Sequence, residues 1–309
     1  MVDSSTHDSN VTTIDPPEAI SSSSTADRSS STGPRSDPPL ASITEAPTQK
    51  WKPMPRYVLR KRNLLHHVRK VLPELETFVD IGCGAGDLAC SLAELGLRGV
   101  GYDFSPDAIR TANAIREERK LGEEQVRFVQ SDTTLDEMDE RFDLVVCNEV
   151  LEHIEDDRAA FANLVRLAKK YLIVSVPAKK KLFSASDELA GHYRRYDRPD
   201  LRDLVSHPDV RVRHIVSYGY PFIYAARYFR ERLARKQIAA TRSDEEMAAL
   251  TKQSGIHSSH LPGRLARIVQ RIDATIGLEA LMAPPYHISR LFNRCDLSEG
   301  YLVVLQITK

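Results

Sequence analysis

The chain has 309 residues, and a hydrophobic fraction of 41% is sufficient for one sizeable core or two small ones. Lys+Arg and Asp+Glu balance at 43 each, which excludes a global field drawing the protein to nucleic acid or anionic membrane and leaves only local patches. No apolar run approaches the ~18 residues of a transmembrane helix, and the N-terminus lacks the basic start and apolar core of a secretory signal, so a cytoplasmic protein is expected.

Residues 1 to about 50 are rich in Ser, Thr, Pro and Asp, with almost no aromatic or periodic apolar content. Such a segment cannot bury enough surface to offset its ordering entropy and reads as a disordered tail. Order is expected from Trp51, so that 51–309 form one domain. Leu64, Leu65, Val68, Val71 and Leu72 then repeat at helical spacing, with Arg60, Lys61, Arg62, Arg69 and Lys70 on a face expected to be solvated. Strand and helix patterns alternate beyond it. Thr77–Ile81, Gly99–Asp103, Val126–Gln130, Phe142–Asn148 and Tyr171–Val176 read as strands, and Gly86–Leu95 as the first intervening helix. Ser105-Pro106-Asp107 supplies an N-cap and an N1 proline for the next. Repeated βα units of this length imply a parallel sheet covered on both faces. Val210–Ser217 and Tyr301–Thr308 read as two more strands. Between them lie helical patterns around 220–236 and 262–281, a polar loop at Ser243–His260 and a Pro284-Pro285-Tyr286-His287 turn. Cys83 and Cys147 fall near strand ends, and Cys83, Cys90, Cys147 and Cys295 form no C-x-x-C pair, as suits buried thiols in a reducing compartment.

The chemistry concentrates in Phe78-Val79-Asp80-Ile81-Gly82-Cys83-Gly84-Ala85-Gly86-Asp87-Leu88. A strand runs into glycines at Gly82, Gly84 and Gly86, and a helix opens directly after. Glycines there permit a sharp turn and let a ligand lie against main-chain N–H groups. The dinucleotide fingerprint G-x-G-x-x-G is not met, because position 87 is Asp. The D-x-G-x-G-x-G form resembles motif I of class I S-adenosylmethionine (SAM)-dependent methyltransferases of the type 11/12 superfamily. That resemblance implies a Rossmann-like, doubly wound α/β fold. Its seven-stranded sheet is mostly parallel with an antiparallel last strand, and a helical C-terminal insertion at about 218–298 caps the substrate. It also implies the cofactor contacts. Gly82, Cys83, Gly84 and Gly86 line the methionine end, and Asp80 organises its ammonium. Asp103 takes the ribose diol and Phe104 packs on the adenine. Ser131, Asp132 and Thr133 follow strand three, with Asp132 toward the adenine amine, and Asn148 lies near the reacting methyl.

Strand four ends in Asn148-Glu149-Val150-Leu151-Glu152-His153. If this segment is helical, Glu149, Glu152 and His153 share one face, a mixed O/N set suited to Mg²⁺ or another divalent ion. The E-x-x-E-H string resembles the metal motif of ubiquinone-pathway O-methyltransferases and of small-RNA 2′-O-methyltransferases, where a later His, here His192, completes the site. Metal-free relatives instead use such histidines as base or positioning groups, so His153, His192 and Glu149 are candidates for either role. The acceptor implied is a small or lipid-linked molecule, methylated at oxygen. Peripheral membrane contact remains open, as does oligomeric state. A metal-dependent RNA 2′-O-methyltransferase and a non-catalytic SAM-binding regulator are the alternatives.

Overall fold

A computed structural model describes residues 51–131, 138–224, 226–227, 231–232, 235, 277–297 and 299–309. The expected tail, Asp132 and Thr133, the Ser243–His260 loop and most of the helical patterns at 220–236 and 262–281 lie outside the described residues.

Seven strands form one sheet: β1 (Thr77–Ile81), β2 (Arg98–Asp103), β3 (Val126–Gln130), β4 (Phe142–Asn148), β5 (Ala168–Pro177), β6 (Val210–Tyr218) and β7 (Gly300–Ile307). Their order is β3-β2-β1-β4-β5-β7-β6. The first five are mutually parallel, and β7 runs antiparallel to both β5 and β6. Side chains alternate across the sheet, so each face of the central strands carries its own core. Val79, Ile81, Val145, Cys147, Leu172 and Val174 belong to one buried cluster. Phe78, Leu144, Val146 and Ile173 belong to the other.

Helices α1 (Pro55–Val71), α2 (Asp87–Glu94), α3 (Pro106–Glu118), α4 (Asp157–Leu167), α5 (Ala185–Ala190) and α6 (Arg198–Leu204) cover the sheet or border its edge. The side chain of Ser105 accepts the Ala108 N–H at the start of α3, and Asp197 with Asp200 forms a capping box on α6. β5 begins at Ala168 rather than Tyr171, because α4 passes into the strand without a loop. The Pro284–His287 segment is helical, not a turn. Its prolines occupy the first turn of α8 (Ala283–Leu291), which follows the short α7 (Leu278–Leu281). Val58 and Leu59 of α1 pack with Ile223, Leu278, Met282 and Tyr286 in a third small core. No described helix is long and apolar enough to cross a membrane.

Candidate active site

The glycines after β1 turn with positive φ at all three positions: 69° at Gly82, 53° at Gly84 and 72° at Gly86. A Cβ on Gly82 would stand 2.3 Å from the Val150 side chain, and one on Gly86 would stand 2.6 Å from both Ala112 and Phe128. Backbone conformation and space therefore both demand glycine there. The Cys83 N–H donates to the Tyr102 carbonyl at 2.9 Å, holding the loop against the tip of β2. Asp103 at that tip accepts from the Gly84 N–H at 2.8 Å and from the Ser105 N–H at 2.9 Å. Burial raises its carboxyl above the usual range, and these two hydrogen bonds oppose that rise. Phe104 is 59% exposed beside it, and Ser131 donates its N–H to the Asp103 carbonyl.

Two buried polar groups lie in the same region. The Asn148 Oδ1 atom at the end of β4 is buried with no hydrogen bond. Asp80 is 2% exposed, and burial, reinforced by Asp103 and only partly offset by Arg60, pushes it up to about 7. A bare glycine cradle, a hydroxyl-accepting carboxylate, an exposed aromatic face and an unsatisfied amide fit a cationic nucleoside such as SAM. Ammonium and sulfonium charges would favour ionised Asp80, so binding is linked to proton loss there. The ratio of SAM Kd for Asp80→Asn to that of wild type should accordingly rise as pH climbs from 6 to 8. It should level off above the region where Asp80 is already ionised. Equilibrium titrations at each pH check this, and a flat ratio would sink it.

The segment after β4 does not continue as the helix that would align Glu149 with Glu152 and His153. Glu149 takes φ 56°, and Leu151–His153 forms a single tight turn. This separates Glu149 from the other two. It faces α1, with Arg56 Nη2 at 2.6 Å and Arg60 Nη1 at 3.6 Å, and accepts from the Tyr218 hydroxyl at 3.1 Å. Burial alone would raise its carboxyl, yet the two guanidinium groups hold it at about 2.

Glu152, His153 and His192 do converge, with one potential ligand atom from each lying within 4.8 Å of the others. Glu152 is fully buried, and neither carboxylate oxygen has a hydrogen-bond partner. Burial, then the charge of Glu149, pushes it well above the usual range. The rings of His153 and His192 meet edge-to-face at 4.7 Å. Burial and then His192 lower His153 to about 4. His192 sits in a loop docked by the Tyr193 N–H on the Glu152 carbonyl at 2.8 Å.

Several contributors were missed by the sequence reading. Asp187 Oδ1 lies 2.9 Å from His192 Nδ1 and accepts from Arg195 Nε at 2.8 Å. Burial opposes its ionisation, but the hydrogen bonds from His192 and Arg195 hold Asp187 well below the usual range. This acid is separated from His192 by Gly191 in the left-handed region, and no simple spacing rule announces the pair. Of the α1 cations expected on a solvated face, Arg69 and Lys70 are exposed, whereas Arg60, Lys61 and Arg62 are not. Lys61 is only 5% exposed and ion-paired to Asp87 at 2.7 Å, where Tyr57 and Arg119 also bind. The i,i+4 spacing of Arg56 and Arg60, and of Tyr57 and Lys61, was the available signal that each pair points one way. Tyr196 is a packed core residue that donates to Asp157, whereas Tyr193 is exposed.

A doubly wound sheet whose glycine cradle and acid-tipped second strand meet at the carboxyl edge defines a nucleoside-binding α/β domain. Residues 79–170 match the family model described as a methyltransferase domain, within a sheet of Rossmann-like strand order. A ubiquinone biosynthesis O-methyltransferase of Methylococcus capsulatus is 37% identical over 91 residues, 29% of this chain and 38% of that protein. One from Methylobacterium sp. is 39% identical over 123 residues, covering 38% of this chain and 47% of its own. One from Rickettsia akari is 24% identical over 179 residues, 53% and 69%. In the first two the matched stretch spans less than half the length of the relative. A candidate sarcosine dimethylglycine methyltransferase from Galdieria sulphuraria has a similar fold, with a TM-score of 0.50 over 80% of this chain and 84% of its own at 12% identity.

Proposed function

We propose that the protein is a SAM-dependent O-methyltransferase acting on a small-molecule or lipid-linked acceptor. The observation that carries this is the partnerless, fully buried Glu152 facing His153 and His192, a few residues beyond the strand tip that bears Asn148. The names of the relatives, which methylate oxygen in ubiquinone biosynthesis, support the choice of atom.

Bound SAM supplies an electrophilic methyl group, and its transfer to oxygen is an in-line displacement favoured by alignment. Asp80, Asp103 and the glycine cradle orient the donor. The unsatisfied oxygens of Glu152 fit a cation, and a divalent ion held by Glu152, His153 and His192 would polarise an acceptor hydroxyl. His192 donates Nδ1–H to Asp187 in the tautomer that this contact favours, so its Nε2 either ligates the ion or, with no ion bound, accepts a proton from the acceptor. His153 stays neutral near pH 7, so it does not repel the cationic donor. Arg56 and Arg60 pair with Glu149 and keep it ionised.

Incubation with SAM and a panel of catechols and phenols, with and without a chelator, tests the reading. S-adenosylhomocysteine should form only when an acceptor is present. Donor binding with no turnover on any oxygen acceptor would overturn it. Loss of turnover with chelator and recovery with Mg²⁺ would assign the metal role to the cluster, whereas indifference to chelator would leave the histidines as base.

A further inference from the structure

A second concavity lies away from the glycine cradle, at the β6 edge of the sheet, with a volume of about 540 Å³. α1 contributes His66, His67 and Lys70 to its wall, and β6 contributes Arg213 and His214. Arg290 of α8 and Arg294 just beyond it complete the ring, and among the described residues no carboxylate lines the hollow. Lys70, Arg213, Arg290 and Arg294 form no ion pair among the described residues, in a chain whose charges balance overall. Arg290 Nη2 donates to His66 Nε2 at 3.3 Å, and the rings of His67 and His214 lie 4.9 Å apart. Positively charged residues on an edge strand alone would serve to block strand pairing. That need does not explain cations converging on the same hollow from two helices as well.

We infer that this hollow is a binding site for a multiply charged phosphate group. Guanidinium forks match phosphate oxygens bidentately, and neighbouring cations that repel one another in the free protein gain by sharing one polyanion. The concave form and the volume suit a compact soluble ligand, in the range of small-molecule pockets. The phosphate source can be a free or nucleoside-borne polyphosphate or a lipid headgroup, and the shape favours the first.

Calorimetric titration of the full chain in 150 mM salt with inorganic tripolyphosphate, with a nucleoside triphosphate and with vesicles of phosphatidylglycerol tests the inference. Saturable one-to-one binding of tripolyphosphate is expected, weakened at least tenfold in Arg213→Gln/Arg290→Gln with SAM affinity unchanged. Equal affinity of the nucleoside triphosphate would place recognition in the phosphates alone and support the site. Absent or non-saturable tripolyphosphate binding, binding equal in the double variant, or binding to vesicles alone would overturn it. Hydrogen exchange on wild type gives a readout that does not depend on the variant folding. Tripolyphosphate should slow exchange in 210–218 and 283–294, and unchanged exchange there would overturn the site.

Discussion

Asp103→Ala is expected to weaken SAM binding by about 30-fold or more. A carboxylate taking two ribose hydroxyls contributes about 1.5–3 kcal/mol per charge-assisted hydrogen bond, and each ~1.4 kcal/mol is a factor of ten. The same carboxylate braces the cradle through the Gly84 and Ser105 N–H groups. Its removal leaves two backbone donors without their partner, so stability should fall too, by about 1–3 kcal/mol. Calorimetric SAM titration and thermal unfolding of the variant separate the two effects. Asp103→Asn keeps an oxygen acceptor and should recover part of the stability but little of the affinity, because the charge on the acceptor is gone. An unchanged SAM Kd in Asp103→Ala would remove the ribose role and leave Asp103 as a brace only.

The second large effect concerns the imidazole held by Asp187. His192→Ala should lower kcat by about 10²–10⁴-fold, the range in which a positioned acid–base group contributes, with SAM affinity close to wild type. Asp187→Asn should lower kcat less and leave KM for donor and acceptor nearly unchanged. The amide no longer fixes the Nδ1–H tautomer, although the ring still has a polar neighbour. Asp187 also holds Arg195, which donates to the Ala178 carbonyl, so some loss of stability is expected with the loss of rate. Steady-state kinetics beside unfolding curves distinguish a catalytic defect from a fallen loop. A His192→Ala enzyme with wild-type kcat would show that neither proton transfer nor ligation passes through this ring.

The parts of the fold that were legible in the sequence are those governed by short-range rules. Phe142–Asn148 is read to the residue because its strand is buried on both faces, and Val126–Gln130, at the sheet edge, because its side chains alternate between buried and exposed. Positive φ at Gly82, Gly84 and Gly86 follows from the one residue type that adopts it freely. The N-cap at Ser105 is satisfied by an N–H three residues away. Local reading failed at Glu149. Its spacing to Glu152 and His153 suggested one helical face, but the chain takes a left-handed residue and a tight turn there, in which α1 supplies two guanidinium groups to the carboxylate.

From its own residues the chain determined a doubly wound sheet, the glycine turn after the first strand and the acid at the tip of the second, since hydrophobic period and backbone permissiveness act over a few residues. Tertiary structure alone decided which charges meet. Arg56 and Glu149 are 93 positions apart, and Lys61 and Glu279 are 218 apart, and a helical period says that side chains share a face but not what the face turns toward. That direction was settled by Val58 and Leu59 packing on Ile223 and Met282, which rolls the cations of α1 inward onto the carboxylates. Burial then set the chemistry of Asp80, Glu152 and His153, because the cost of a charge depends on the surrounding medium and not on its neighbours in sequence.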